Sequence, residues 1–414
     1  MAARAIGVAG AGVAGLTVAL CLEQAGFRVL VLEKRDGPSD LGAGIQVTPN
    51  AYGVLERLGL APALRMAGHA PEGVRIRRGH DGRRLATVPL GASALDRYGR
   101  PYLVIHRADL MAALRHRCAE RENIEIRYGE AISDLALHGR GLTCLTFGNE
   151  RHSEHVVAAL IGADGIRSAT RRFVVGSSEP VFTGRIAWRA LVPSESADDV
   201  FRGEHTGLWL GPDTHLVHYP IRQGRVLNFV AIAPWLRGGP PPDRWVKAAE
   251  GDPRRGFERW DRRVTDMMRR ASGWGGWPLH AHQGPFGAWS NGPVCLIGDA
   301  AHAIEPFAAQ GAAMAIEDAA VLAFHLSRSR DEPSEAFGHY AHARRKRVTM
   351  VRRATEANRR RYHMSGFAGA ARDFFLPRLS GEDLLNRLDT IYFWRAPLDG
   401  KPGGKPPNVS AGSG

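Results

Sequence analysis

Apolar and polar positions along this chain follow two periods, and each change of period marks a predicted change of structure. Ala5 to Ala9 is a short apolar run that predicts a strand. Val13 to Ala25 carries apolar residues at helical spacing, and Arg28 to Leu32 predicts a second strand, which makes a β-α-β opening. Helical spacing returns over Asn50–Leu58 and Arg107–Arg121. The segments "TCLTF" and "HVVAALIGADG" predict strands, the second ending in a tight turn. From about Phe182 to Ala233 the period is two: "GRIAWRALVP", "TGLWLG", "THLVHYPI" and "RVLNFVAIAP" are separated by Gly, Pro and Asp turns, as in a mostly antiparallel sheet. "GGPPPD" reads as a linker or long turn. α/β character resumes at "GPVCLIGDAAHAIEP", followed by a long helix over Gln310–Ser327 and a helical region near Ser334–Ser365. The Gly/Pro/Ser-rich residues 398–414 predict a disordered tail.

A chain of 414 residues is too long for one simple core and predicts two domains, or one with an inserted layer. The net charge of +13 comes almost wholly from arginine. Such a balance attracts nucleic acid, an anionic membrane, or small carboxylates and phosphorylated cofactors, and equally describes a solvated arginine-rich surface. Cys21, Cys118, Cys144 and Cys295 form no C-x-x-C pair, which argues against a disulfide framework or thiolate zinc site and fits a reducing cytoplasm. Arg4 and the apolar run after it superficially resemble a signal peptide, but no cleavage pattern precedes the acidic "LEKRD". No run is long and apolar enough to span a bilayer.

The early glycines explain that run better. Gly10, Gly12 and Gly15 form G-x-G-x-x-G between the first strand and the helix that opens at Val13. Gly10 permits the turn, Gly12 lets backbone approach a pyrophosphate, and Gly15 lets helix and strand pack closely; the helix N-terminus favours phosphate. Glu33, followed by Lys34, ends the second strand, where an acid should bond adenosine ribose hydroxyls. Two later stretches indicate which dinucleotide. "LIGADGIRSATRR" places Asp164-Gly165 in a turn before Arg171, and "CLIGDAAHAIEPFAAQGAAMAIEDA" places Asp299 at a strand end. The second stretch continues through Pro306 to a helix start at Gly311, Ala312 and Ala313. An aspartate there can accept from ribityl hydroxyls. A helix start lined with small residues can approach a flat ring, and its dipole would stabilise a reduced flavin's negative edge.

With these motifs in this order, the sequence resembles the class A flavoprotein monooxygenases, the para-hydroxybenzoate hydroxylase-like family, from about Ala5 to Trp394. Within the family, "AQGAAMAIEDA" and "GAGIQ" look most like the 6-hydroxynicotinate 3-monooxygenase, 3-hydroxybenzoate 6-hydroxylase and salicylate hydroxylase branch. The resemblance implies an α/β fold: a discontinuous Rossmann-like FAD-binding domain, an inserted mostly antiparallel β-sheet substrate domain, and C-terminal helices. The boundaries expected are 1–70, 101–178 and 286–330 for FAD, 71–100 and 179–285 for substrate, and 331–397 for the helices. It also implies that Asp164 and Arg171 serve FAD and the incoming nicotinamide, that Asp299 holds the ribityl chain, and that Arg107 lies near the FAD phosphates and ribityl. The segment from Leu41 through Gly44 would pass along the flavin. The chain departs from the family at "HAIEPF" around Pro306, at "LHAHQGP", and at Gln46, where the hydroxynicotinate enzyme carries a histidine.

"THLVHYP", Thr214 to Pro220, admits three readings: metal ligands, core residues, or side chains that read a substrate. Strand alternation puts His215, Val217 and Tyr219 on one face and Leu216 and His218 on the other. His215 and Tyr219 would be roughly 13 Å apart at ~3.3 Å per residue, wide for a shared zinc, and no third ligand is at hand. His280 and His282 likewise lack further ligands, so no metal site is expected. The resemblance matches His215 and Tyr219 to the substrate-facing pair that does the catalytic work, leaving His218 structural or exposed. Gln46 could bond substrate or flavin. Gln310 could reach the substrate or flavin edge, or simply cap its helix. The basic run His342–His363 reads as a solvated helix face rather than a nucleic-acid surface.

The activity expected is hydroxylation of a small hydroxybenzoate- or hydroxypyridine-carboxylate-like substrate through a C4a-hydroperoxyflavin, with FAD bound, NADH or NADPH as co-substrate, and O2. The expected setting is the cytoplasm, without membrane or nucleic acid, and a homodimer is left open. Two alternatives stand beside it: tailoring of a bulkier polyketide-like aromatic, and a basic nucleic-acid-binding or scaffold protein with a vestigial FAD fold.

Overall fold

The first strand, Ile6–Ala9, lies inside a six-stranded sheet ordered Ser290–Asn291, Val294–Leu296, Ala159–Gly162, Ile6–Ala9, Val29–Glu33, Ile124–Tyr128. All pairings are parallel except that of the edge strand Ser290–Asn291. The structure is a computed structural model that describes residues 4–38, 43–139, 141–148, 150–176, 179–236, 241, 246–282 and 287–397. The predicted tail, most of "GGPPPD", and Leu41 fall outside the described residues. The Ile6–Ala9, Val29–Glu33 and Ala159–Gly162 strands are buried throughout, which is why they read as continuous apolar runs. The helix Val13–Gln24 is apolar nearly all round because it packs between this sheet and the helix Gly311–Arg328.

"HVVAALIGADG" is not one strand. His155–Val157 complete Arg151–Val157 in a three-stranded antiparallel sheet with Gly141–Gly148 and Ala131–His138, whereas Ala159–Gly162 joins the six-stranded sheet. The change of partner falls at Ala158, whose N–H donates to Ala5 O at 2.9 Å. Periodicity alone could not separate two strands joined by one residue.

The period-two region forms an eight-stranded sheet ordered Val246–Lys247, Gly275–Ala281, Val181–Pro193, Val226–Pro234, Thr214–Ile221, His205–Gly211, Gly73–Arg78, Arg84–Pro89. Only His205–Gly211 and Gly73–Arg78 pair in parallel. On one face Trp188, Trp209, Leu216 and Phe229 pack with Val264, Met267 and Met268 of the helix Arg262–Arg270. Burial of each such side chain contributes about 1.5–3 kcal/mol. His218 belongs to this face, buried with its ring stacked on Phe229 at 5.6 Å, so it is structural. The register sets Arg189, Val230, Val217, Leu208 and Ile76 in a row on the opposite face.

That opposite face is covered in part by C-terminal helices. Pro333–Tyr362 is anchored to Gly311–Arg328 by a buried ion network. Glu317 accepts from Arg344 at 2.6 Å, from Arg347 at 2.8 Å and from Asn50 Nδ2 at 2.7 Å. Asp318 accepts from Arg344 Nε at 2.7 Å, Gly298 N at 2.9 Å and His302 Nε2 at 2.6 Å. The basic run is therefore not wholly a solvated face, because two of its arginines are internal counter-ions. Helical spacing marks which positions turn inward but not that carboxylates wait there.

Candidate active site

Ligands of open parallel sheets bind beyond the carboxyl ends of the strands. Here four such ends carry the expected chemistry: Gly10 after Ile6–Ala9, Glu33 closing Val29–Glu33, Asp164 after Ala159–Gly162, and Asp299 after Val294–Leu296. Gly10 has φ +98°, and a Cβ on it would lie 2.8 Å from Ala163 O, so only glycine fits the turn. A Cβ on Gly15 would overlap the Gly10 carbonyl. Gly12 is different: a Cβ there would meet nothing within 4 Å, which leaves its backbone open to a phosphate. Val13 is buried and offers only its backbone. Glu33 is buried, accepting from Ala11 N at 2.7 Å and Arg35 N at 3.1 Å, so its carboxylate lies beside the glycine turn; Lys34 is exposed.

Asp164 fixes its own turn by accepting from Thr170 N at 3.0 Å and Thr170 Oγ1 at 3.1 Å through Oδ2, while its buried Oδ1 has no partner among the described residues. Arg171 reaches from this turn to Ala300 O at 2.8 Å and Ala301 O at 3.2 Å, tying the D-G turn to the G-D turn, and its Nε is likewise buried and unpartnered. Asp299 is accessible to solvent yet surrounded by protein, as in a cleft. Burial raises its carboxyl above the usual range against the pull of His302 and Arg107. Burial, with Arg35 beside it, lowers Arg107. Met314 N is the first amide of its helix to donate, to Gln310 O at 2.8 Å. Among the described residues this leaves the amides of Gly311, Ala312 and Ala313 for a ligand, although the Ala313 side chain is buried in the core. Unpartnered buried polar atoms, an open glycine and free helix-start amides along one edge fit a flavin dinucleotide.

Next to this edge a cavity of about 770 Å³ lies between the eight-stranded sheet and the C-terminal helices. Gln46, Tyr102, His215, Pro306, Phe307 and Tyr362 line it among apolar side chains. Gln46 stands on the short strand Gly44–Val47, paired with Leu103–His106, and accepts from Tyr102 OH at 2.5 Å. His215 is buried, and its Nδ1 is 2.9 Å from His363 Nε2, which leaves Nε2 as the edge open to a ligand. Burial, then His363 and Arg185, push its pKa well below the ordinary histidine value.

Two expected substrate contacts are placed elsewhere. Gln310 is buried, donating to Thr48 Oγ1 at 3.3 Å and accepting from Asn50 Nδ2 at 3.1 Å; it braces the helix start and does not line the cavity. Tyr219 is on the same sheet face as His215 but is not among the cavity's lining residues. Its ring packs on Gly44, where a Cβ would come 2.6 Å from the hydroxyl oxygen. Burial raises the Tyr219 hydroxyl, and Arg189 opposes that rise. Arg189 itself went unnoticed in the sequence. It lies two strands from Val217 on the same face, 5.2 Å above the Trp277 ring, with its buried Nε unpartnered among the described residues. Its signal was the alternation along "GRIAWRALVP". Asn228, which accepts from Gly44 N at 2.9 Å, and His363 had no such signal. Among the described residues no cluster of His, Cys, Asp and Glu could hold a metal.

Fold and site together define a flavin-dependent oxidoreductase with its substrate cavity beside the dinucleotide edge. Residues 3–355 match the family described as FAD binding domain, and the chain belongs to that family as an FAD-dependent monooxygenase. It is 33% identical over 388 residues to 3-hydroxybenzoate 6-hydroxylase 1 of Aquipseudomonas alcaligenes, covering 93% of this chain and 96% of the relative. It is 32% identical over 363 residues to 6-hydroxynicotinate 3-monooxygenase of Bordetella bronchiseptica, covering 85% and 91%. An FAD complex of a Klebsiella pneumoniae HpxO variant superposes with a TM-score of 0.82 at 25% identity, covering 95% of this chain and 100% of that one. Among the described residues no helix is long and apolar enough to cross a membrane.

Proposed function

We propose that this enzyme hydroxylates the ring of a small hydroxylated aromatic or pyridine carboxylate, consuming NADH or NADPH and O2. The observation that carries the reading is His215, whose open edge meets an apolar cavity next to Gln46 and Pro306. FAD would be held by Gly10, Gly12, Gly15, Glu33, Arg107, Asp164, Arg171 and Asp299, and the chemistry it supplies is reduction by nicotinamide and activation of O2. We assign FAD binding to 1–70, 101–178 and 286–330, and substrate binding to 71–100 and 179–285. His215 accepts the ring hydroxyl's proton, which makes the ring a stronger nucleophile; general base catalysis of this kind is worth ~10²–10⁴-fold. Gln46, oriented by Tyr102, bonds a polar substituent. The apolar walls keep water from the reacting ring. Tyr219 holds the flavin-side strand at Gly44.

The names of the relatives favour a single-ring acid. The cavity of about 770 Å³ favours a second reading, a bulkier aromatic, because it lies toward the upper end of the ~300–1,000 Å³ range of ligand pockets. A nucleic-acid role is disfavoured, since Arg344 and Arg347 are engaged internally. Four buried free cysteines support a reducing cytoplasm. A panel of hydroxylated mono- and bicyclic acids, scored for NAD(P)H oxidation and hydroxylated product together, tests the reading. His215→Ala should retain FAD and lose product; product at the wild-type rate would refute the role given to His215.

A further inference from the structure

The cavity is longer than the part of it that His215 and Gln46 can use. His215 and Val217 stand on the strand Thr214–Ile221, and the floor continues sideways over three more strands. The register carries it from Val217 to Leu208 and Ile76, and from Thr206 to Val74 and Val88. At ~4.8 Å between strands, the floor runs roughly 14 Å from Val217 to the outermost strand, Arg84–Pro89. A single ring beside His215 is shorter than two such spacings and leaves the outer strands uncovered. Val74, Val88 and Val217 are only half-buried although helices cover this face, and the surface they keep lines the cavity. The two ends also differ in kind. Aromatic rings gather at His215, with Phe307 at 5.3 Å and Tyr362 at 5.4 Å between centroids. Beyond Val217 the floor is aliphatic, and Thr206, its one hydroxyl, keeps Oγ1 buried and out of reach of a ligand. Leu376, Leu379, Leu384 and Leu388 roof this end, and the helix Gly381–Asn386 rests on the outermost strand. Its arginines offer no inner anchor for an anion. Arg372 is engaged by Asp373 and by the carbonyls of Arg361 and Tyr362, while Arg361, Arg378 and Arg387 are exposed and mark the rim.

We propose that the substrate carries an aliphatic chain of several carbons on its hydroxylated ring, with the ring held at His215 and Gln46 and the chain laid across Leu208 and Ile76 toward Val88. This rests on the reading of His215 as the group that meets the ring hydroxyl, and it selects a substrate class within that reading. Further fused rings are a poorer match to the outer end for two reasons. Ring stacking is offered only near His215, whereas branched aliphatic side chains pack as well on methylenes as on a ring. Leu376 also packs down on the cluster that contains Ile76 and Leu208, which narrows the passage; a chain bends past it and a rigid polycycle does not. Each methylene taken out of water strengthens binding by ~4-fold. The chain also fills the route from the exposed rim to the ring, so water is kept from the ring as hydroxylation proceeds.

The test uses holoenzyme and a homologous series: 2- and 3-hydroxybenzoate, unsubstituted and with a methyl, propyl, pentyl or heptyl chain at each free ring carbon. Kd is read from the flavin spectrum, and hydroxylated product and peroxide are measured against NAD(P)H consumed. The proposal predicts that at one ring position at least Kd falls ~4-fold per methylene, roughly 10²-fold from methyl to pentyl, and that peroxide per NAD(P)H falls with it. Val88→Trp and Leu379→Trp, which fill the outer end, should each flatten the gain from propyl to heptyl. Chains that leave Kd unchanged or weaken binding at every position, while an unsubstituted acid is hydroxylated in step with NAD(P)H, would overturn the chain and leave the reading of His215 standing. An undiminished gain from propyl to heptyl in both folded variants would likewise overturn it. Chains that bind with the expected gradient while neither they nor the parent acids yield product would overturn the reading of the His215 site, and the substrate assignment with it.

Discussion

Gly12→Ala adds one methyl group at the mouth of the helix Val13–Gln24. Gly12 has φ −81° and ψ −172°, which alanine adopts without strain, and the new Cβ would meet no heavy atom of the protein within 4 Å. The apoprotein should therefore lose no more than the ~1 kcal/mol of an altered N-cap. FAD should be affected far more, because the methyl stands where a pyrophosphate must approach the backbone. Overpacking of this kind costs about 1–3 kcal/mol, or roughly 5- to 150-fold in Kd. Gly15→Ala is the contrasting control: its Cβ overlaps the Gly10 carbonyl, so the fold itself must yield. Titrating apoprotein with FAD by flavin fluorescence, beside thermal melts of the same apoproteins, separates the effects. Gly12→Ala with a wild-type Kd would refute the placement of the pyrophosphate. An apo melt displaced as far as that of Gly15→Ala would refute the claim that this glycine serves binding and not folding.

Arg344→Met should destabilise the protein by about 1–3 kcal/mol, seen as a lower denaturant midpoint, since it takes from buried Glu317 and Asp318 the arginine they share while Arg347 and His302 remain; a wild-type midpoint would dismiss the network. Burial alone would raise Asp318, but His302 and Arg344 outweigh it and bring the carboxyl down to about 2, against about 3.9 unfolded. Its stabilisation is thus complete above about pH 4 and lost as pH falls toward 2. Acid titrations of wild type should show this limb and Asp318→Asn should flatten it. Gln310→Ala should lower stability by about 1–3 kcal/mol with KM unchanged, because it leaves the buried Asn50 and Thr48 short of partners. Gln46→Ala should also cost about 1–3 kcal/mol, through the Tyr102 hydroxyl it leaves without an acceptor, but unlike Gln310→Ala it should raise KM; steady-state kinetics paired with melts decide both.

What could be read ahead of the structure follows from how local each requirement is. The glycine turn, Glu33, Asp164 and Asp299 announce themselves because a strand end and the turn after it dictate residue types within a few positions. Period-two alternation grouped His215 with Tyr219 and set His218 on the other face, whereas the substrate-facing role of the first face came from the family resemblance. Gln310 could not be placed, since its direction is set by Thr48 and Asn50, some 260 positions away. His363 closes a helix 148 positions beyond the strand it touches, and nothing in "RRRYHMSG" points to that contact. The tightly apposed strands around Ala158 were merged for the opposite reason: one apolar run serves two sheets without a break in pattern.

The central claim is that a yellow, FAD-bound protein couples nicotinamide oxidation to hydroxylation of a hydroxylated aromatic acid at the His215 cavity. Its most direct test measures NAD(P)H consumed, hydroxylated product and peroxide in parallel, with each acid of the panel and with His215→Ala. The account predicts that at least one acid accelerates oxidation and yields close to one product per NAD(P)H in wild type, whereas His215→Ala yields little product. No acid stimulating oxidation, or peroxide alone from every one, would contradict it.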